Sequence, residues 1–391
     1  MNKPLLASSG APVESDWTAP VYAQLPIEPV SGEGAYFTTV DGRRILDLYG
    51  GHAVACLGYG HPRLTAAVSG QAERLIFQSN AVPLSVRAEA ARALADFSPD
   101  GLDRVFLVNS GGEANENALR LALRFTGRRK VVAVEGGFHG RTAAAGAVTW
   151  GAVGRWYGFP RTPFDVVFVP RDDIEALAAA VDEDTAAVIV EPVQGVAGAI
   201  DLAPAFLRAI SETARRRGAL AIFDEVQCGM GRCGEPFVAS ALGITPDLLT
   251  TAKGLAGGFP AGAVIMSGEL AERLEHGDLG TTFGGGPLAS AAIIAVIGAI
   301  EDEGLLARVR RVSDDIRKRC VIGPVTGIQG RGLLLGLRCD RPAREVRNAL
   351  LERDILTGTS GDPAVLRLLP PLILLESEVD RLVAALEDIP A

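Results

Sequence analysis

Lys253 closes a β-prone run, Pro246-Asp247-Leu248-Leu249-Thr250-Thr251-Ala252-Lys253, and a glycine-rich turn, Gly254-Leu255-Ala256-Gly257-Gly258, follows at once. A lysine at the tip of a buried strand has little water around its ammonium. Burial pulls its pKa toward neutrality and leaves a nucleophilic amine. Earlier in the chain a second apolar strand, Ala219-Leu220-Ala221-Ile222-Phe223, ends in Asp224-Glu225-Val226-Gln227. An amine that can form an imine, with a carboxylate at a neighbouring strand end, is what pyridoxal phosphate requires. The lysine holds the aldehyde, and the aspartate keeps the pyridine nitrogen protonated so that the ring accepts electrons. Taken alone, each residue has a blander reading, a snorkelling surface lysine and a solvated acidic pair. Paired at strand ends, they point to a cofactor.

A phosphate needs a cradle. The run Leu107-Val108-Asn109-Ser110-Gly111-Gly112-Glu113 reads as a strand entering a Ser-Gly-Gly turn that opens a helix. Unpaired backbone N–H groups and the helix dipole meet an anion there, although such a turn also serves as a plain tight connection. The dinucleotide fingerprint G-x-G-x-x-G is absent from it, against a Rossmann dehydrogenase. Next comes Gly136-Gly137-Phe138-His139-Gly140-Arg141-Thr142. The Phe138 ring suits stacking on a flat pyridine, and the Arg141 guanidinium suits two-point binding of a substrate carboxylate. A core phenylalanine and a structural ion pair are the alternatives. Glu191 ends a further strand and can face the same site, and Thr281 and Thr282 lie in a second glycine loop, Gly280–Pro287, whose hydroxyls can reach phosphate.

The elements that must position these residues alternate. Helical spacing covers 64–76, 85–97, 113–125, 173–180 and 205–217. Strand-like runs stand at 105–108, 130–134, 166–169, 187–190, 220–223, 248–251 and 263–266. Such alternation predicts an α/β fold with a mostly parallel sheet between helices, where ligands gather at the carboxyl ends of the strands. Residues 1–19 read as a loose arm and 29–47 as a hairpin. After Pro287 a long helix, a strand at 332–337, a helix near 344–353 and a strand at 365–368 predict a smaller α+β domain. The expected division is 1–48 for an arm and hairpin packed on the small domain, 49–286 for the large cofactor-binding domain and 287–391 for the small domain.

Bulk properties narrow the classes. The 391 residues are 48% hydrophobic and 22% charged, the composition of an ordinary globular protein large enough for two domains. A formal net charge of -9 leaves no basic stripe to neutralise phosphates, so no nucleic-acid partner is expected. Residues 1–20 lack a charged start followed by an apolar stretch, and the longest apolar segment, 287–300, is too short to cross a bilayer. A cytoplasmic enzyme without a membrane partner is expected. Five scattered cysteines, with Cys228 and Cys233 far from any histidine, argue for free thiols rather than disulfides or a metal site.

Taken jointly, residues 109–115, 138–142, 191–195, 224–229 and 250–260 resemble the class III (ω-amino acid) aminotransferases of the fold-type I pyridoxal phosphate group, most of all the acetylornithine aminotransferases. The resemblance implies a homodimer with shared active sites. It makes Lys253 the Schiff-base lysine and proton shuttle, and Asp224 the partner of the pyridine nitrogen. Gln227 would bond the ring hydroxyl, Phe138 stack on the ring, and Ser110, Gly111 and Gly112 take the phosphate, with Thr282 reaching it across the dimer. Thr281, Glu191 and Tyr22 would stand near the substrate, Arg141 on its α-carboxylate, and Arg367 on a carboxylate from the small domain. The implied reaction moves the terminal amino group of an N-acylated ornithine to 2-oxoglutarate, in arginine biosynthesis. Other ω-amine donors (a carrier-linked lysine intermediate, ornithine, 4-aminobutyrate) and a racemase, aminomutase or decarboxylase of the same fold are the alternatives. Four positions depart from the pattern: Gly112 stands for the usual threonine, Gly286 for asparagine, Cys228 for threonine or serine, and Val196 for a glutamate that pairs with the small-domain arginine.

Overall fold

The alternating segments build one seven-stranded sheet in a computed structural model that describes residues 14–390. In spatial order its strands are Arg104–Val108, Gly262–Met266, Leu248–Thr251, Leu220–Asp224, Thr185–Val190, Lys130–Val134 and Asp165–Val169. Gly262–Met266 runs against both of its neighbours, and the other pairings are parallel. Parallel strands covered on both faces must be apolar along their whole length. Thr185–Val190 and Leu248–Thr251 are buried at every residue. The sheet is therefore mostly parallel and flanked by helices, as the alternation predicts.

Helix ends follow local chemistry. Pro204–Arg217 starts on a proline, whose missing N–H costs nothing there, and ends at Gly218 with φ 67°. Gly111–Thr126 likewise ends at Gly127, φ 67°. The long helix expected after Pro287 is two helices, Pro287–Asp302 and Leu305–Arg319, parted at Gly304 with φ 60°. The first packs against Pro62–Arg74 and Ser85–Phe97 and is buried nearly all round.

Three smaller sheets complete the chain. Val325–Arg331, Leu334–Cys339, Val365–Leu368 and Gly358–Thr359 form an antiparallel sheet. The strand expected at 332–337 lies slightly later, because Gly332 (φ 53°) turns the hairpin. Its partner Val325–Arg331 and the last helix, Glu376–Glu387, are elements that the sequence pattern did not announce. The hairpin strands Pro29–Glu33, Tyr36–Thr39 and Arg44–Asp47 continue into the distant Ile355–Leu356 by parallel pairing. Val193–Gln194 and Ile200–Asp201 make a two-stranded ribbon. Of the expected N-terminal arm, residues 1–13 lie outside the described residues; from Glu14 it carries a single 3₁₀ turn, Glu14–Asp16. Among the described residues no helix is long and apolar enough to cross a membrane.

Candidate active site

A cavity of about 310 Å³ opens at the carboxyl ends of the parallel strands. Ser110, Gly111, Gly112, Phe138, Asp224 and Lys253 all line it. The Leu248–Thr251 strand delivers Lys253 with φ 48°, a left-handed backbone that a side chain adopts only under constraint. The residue is half-buried. Desolvation lowers the pKa of its amine below the ordinary lysine value, while Asp224 and Glu191 oppose that shift and Arg367 adds to it.

Asp224 is 3% exposed and held by three partners. It accepts hydrogen bonds from Asn115 Nδ2 at 2.6 Å, from the Val226 N–H at 3.0 Å, and shares His139 Nδ1 at 2.7 Å. Asn115 in turn accepts from Thr250 Oγ1 at 2.6 Å and donates to the His139 carbonyl at 2.7 Å. His139 Nε2 is buried without a partner. Asn115, His139 and Thr250 lie inside the motifs read above but drew no role; a polar side chain on the buried face of an amphipathic helix was the available signal for Asn115. Glu225, next in sequence, turns away from this network. It accepts from the Val238 and Ala239 N–H groups at 2.7 and 2.8 Å, and burial pushes it up to about 7.

At the helix Gly111–Thr126 the Ser110 hydroxyl accepts the Glu113 N–H at 3.2 Å, and Glu113 reaches back to the Asn109 N–H at 2.9 Å. That capping arrangement leaves the first-turn N–H groups of Gly111 and Gly112 for an anion. A Cβ on Gly111 would come within 2.6 Å of Val226, whereas one on Gly112 would meet nothing nearer than 3.8 Å. Opposite, the Glu191 carboxylate accepts from the Phe138 N–H at 2.7 Å and the Gly195 N–H at 3.3 Å. Burial and the nearby Asp224 push it up to about 7.

The other expected residues do not line this cavity. Gln227 is buried; its Nε2 donates to the His52 carbonyl at 3.3 Å and its Oε1 has no partner. Arg367 is 5% exposed, from the Val365–Leu368 strand. Its Nε donates to the Thr359 carbonyl at 2.8 Å, Nη1 to the Gly195 carbonyl at 3.2 Å and Nη2 to Tyr49 Oη at 3.0 Å. Arg141 is exposed and lies over the Trp156 ring, 4.4 Å from its centroid. Thr281 Oγ1 accepts from Asn109 Nδ2 at 3.3 Å and from the Gly284 N–H at 3.0 Å. Thr282 and Tyr22 are exposed in the single chain, and neither touches the cavity. Tyr49, His52 and Trp156, which carried no motif, prove to be neighbours of the two arginines.

A family model described as aminotransferase class-III matches residues 18–389. The chain belongs to the class-III aminotransferases. It is 42% identical over 380 residues to the acetylornithine aminotransferase of Methanopyrus kandleri, which covers 94% of this chain and 95% of that protein. The protein of the same name from Mycobacterium tuberculosis is 42% identical over 370 residues, covering 93% and 92%. Among solved structures, the ornithine aminotransferase of Toxoplasma gondii, described with PLP at its active site, superposes with a TM-score of 0.89 at 30% identity and covers 96% of this chain and 91% of that one. The acetylornithine aminotransferase of Elizabethkingia anophelis gives 0.84 at 28% identity, with 96% of each chain covered. This class-III aminotransferase is thus a pyridoxal phosphate-dependent transaminase of the type I α/β fold.

Proposed function

We propose that this enzyme moves the terminal amino group of an N-acylated ornithine, of the acetylornithine kind, to 2-oxoglutarate, releasing a semialdehyde and glutamate within arginine biosynthesis. The carrying observation is the convergence of the Lys253 amine, the locked Asp224 carboxylate and the free N–H groups of Gly111 and Gly112 on one cavity. Relatives named for acetylornithine, alike over nearly the whole chain, support the donor.

The residues present fit pyridoxal 5'-phosphate. A helix N-terminus with two unspent donors suits its phosphate, and Phe138 offers a ring face. Asp224, fixed in place by Asn115, His139 and the Val226 N–H, suits its pyridine nitrogen, and the orphaned Gln227 Oε1 suits the ring hydroxyl. When bound, this group supplies an aldehyde that accepts amines and a ring that draws electrons from the substrate carbon. The chain does the rest. Lys253 Nζ would hold the aldehyde and, once freed by the substrate amine, would take the proton from the carbon bearing that amine. Ser110 and Thr282 add hydroxyls to the phosphate, the latter from a second copy of the chain. Arg141 binds the α-carboxylate, braced by Trp156. Glu191 orders the wall carrying Phe138, Arg367 receives a carboxylate of the acceptor, and Thr281 and Tyr22 border the substrate.

The exposed rings of Phe77 and Phe283, 5.4 Å apart, stand beside Thr282 and support a homodimer that completes each site. The division 1–48, 49–286 and 287–391 and a cytoplasmic setting belong to the same reading; the pairing of Arg44–Asp47 with Ile355–Leu356 supports the first boundary. The deciding experiment offers acetylornithine, ornithine, 4-aminobutyrate and a carrier-linked lysine intermediate with 2-oxoglutarate and follows glutamate. Acetylornithine should give the highest kcat/KM. Glutamate from ornithine alone would move the enzyme to the specificity that its T. gondii likeness carries, and no glutamate from any donor would overturn amino transfer.

A further inference from the structure

Arg367 is a buried cation, and among the described residues no carboxylate lies within ion-pair distance of it. A guanidinium in such a place is costly unless its N–H groups are satisfied and a counter-charge arrives. Two of its acceptors are backbone carbonyls. The third is the Tyr49 hydroxyl, whose ring also sits under the guanidinium at 5.6 Å. Arginine only donates, so the Tyr49 oxygen accepts there and its own proton must go elsewhere. It has one acceptor in reach, His52 Nδ1 at 2.7 Å. A phenol proton given to Nδ1 corresponds to the neutral imidazole with its own proton on Nε2. Burial, with Arg367 and Lys253 nearby, lowers the pKa of His52 and agrees with that tautomer.

The backbone is bent to make this contact. Gly50, Gly51, His52 and Ala53 have φ of 54°, 55°, 65° and 70°. Two of the four are not glycine, and a non-glycine residue in the left-handed region is strained. The turn is held at both ends. Asp47 Oδ1 accepts from the Tyr49 and Gly50 N–H groups at 2.8 and 2.9 Å, and the His52 carbonyl accepts from Gln227. Gly358 completes the fit, because a Cβ there would overlap the Tyr49 ring. Strain of this kind persists where something is positioned by it.

We propose that Tyr49 and His52 are positioning residues that aim Arg367 through neutral hydrogen bonds, leaving its full charge for the carboxylate of a dicarboxylate acceptor. This rests on the amino-transfer reading for the identity of the acceptor. A carboxylate partner would cancel the charge and have to be displaced in each cycle; a phenol does neither. The pair should therefore act on acceptor binding and hardly on the donor or on turnover.

The test uses cofactor-loaded enzyme and glutarate, a dicarboxylate that cannot react. Tyr49→Phe keeps the ring and removes only the oxygen. By calorimetry it should weaken glutarate binding about tenfold, the scale of a hydrogen bond to a charged group. The KM for 2-oxoglutarate should rise by a similar factor, with kcat and donor KM moving less than about twofold. His52→Asn tolerates the left-handed turn but lacks the ring nitrogen, and should weaken glutarate about threefold. Unchanged glutarate affinity in Tyr49→Phe, or an equal loss for donor and acceptor, overturns the proposal. A wild type that binds no glutarate overturns it together with the assigned role of Arg367. A wild type that forms no glutamate, while Tyr49→Phe still loses glutarate affinity, removes the amino-transfer reading and leaves the clamp standing.

Discussion

Asp224 and Arg367 are both buried, both charged and both within the field of Lys253, yet the chain holds them by opposite means. The carboxylate is held by Asn115, His139 and the Val226 N–H at 2.6–3.0 Å, with Asn115 itself braced by Thr250, all from the Gly111–Thr126 helix and the strands and strand-end loops of one sheet. The guanidinium leans on two carbonyls and a phenol drawn from three distant parts of the chain. Three partners fix the carboxylate and still leave an acceptor site toward the cavity, so its charge is a fixed feature of the pocket. The guanidinium has no ion-pair partner among the described residues and, with Glu191 acting on it only from a distance, keeps electrostatic energy for whatever anion arrives. The difference separates a permanent electrostatic device from a binding one, and it can be attacked from either side.

The largest effect is expected at the residue that feels both charges. Lys253→Ala should lower glutamate formation by more than about 10³-fold, because the amine serves as both tether and proton carrier. Residual transfer near the wild-type rate would dissolve the comparison altogether. Asp224→Asn keeps the shape of the network and removes its charge. It should reduce kcat/KM by on the order of 10²-fold, with glutarate affinity unchanged. Calorimetry and steady-state rates on one sample decide whether the two charged ends are separable.

A pH profile sharpens the role of burial. Only the unprotonated Lys253 amine takes up an aldehyde, and desolvation sets its pKa below the ordinary 10.5. Cofactor uptake by the stripped enzyme, followed by visible absorbance, should rise about tenfold per pH unit and level off short of that value. A rise continuing to 10.5 would mean that the amine is solvated. The smallest effects are expected in the phosphate turn. Gly111→Ala pushes a Cβ to 2.6 Å from Val226 and should cost about 1–3 kcal/mol in stability, while Gly112→Ala, with 3.8 Å of clearance, should stay within about 0.5 kcal/mol. Equal melting temperatures for the two would show that the turn yields.

The same contrast explains what was readable in the chain. Lys253, Asp224, Ser110, Gly111, Gly112 and Phe138 could be picked out because each sits beside a strand end that hydrophobic pattern and glycine placement mark. The parallel sheet then gathers strand ends on one edge. Arg367 was reached only through family resemblance, and nothing pointed to Tyr49 or His52, since left-handed turns and contacts across hundreds of residues leave no periodic trace. Val325–Arg331 escaped because two glycines and a glutamine interrupt its alternation. Glu225 looked like a twin of Asp224, and the alternation of a strand, which sends neighbours to opposite faces, gave them unrelated surroundings.

Local sequence alone settled the alternating α/β architecture, the helix ends and the set of strand-tip residues, since these depend on periodicity, glycine and proline within a few positions. Packing decided which buried charge would be locked and which left expectant. That choice turns on partners such as Thr359, Gly195 and Tyr49, which only the closed fold brings within 3.2 Å of one guanidinium.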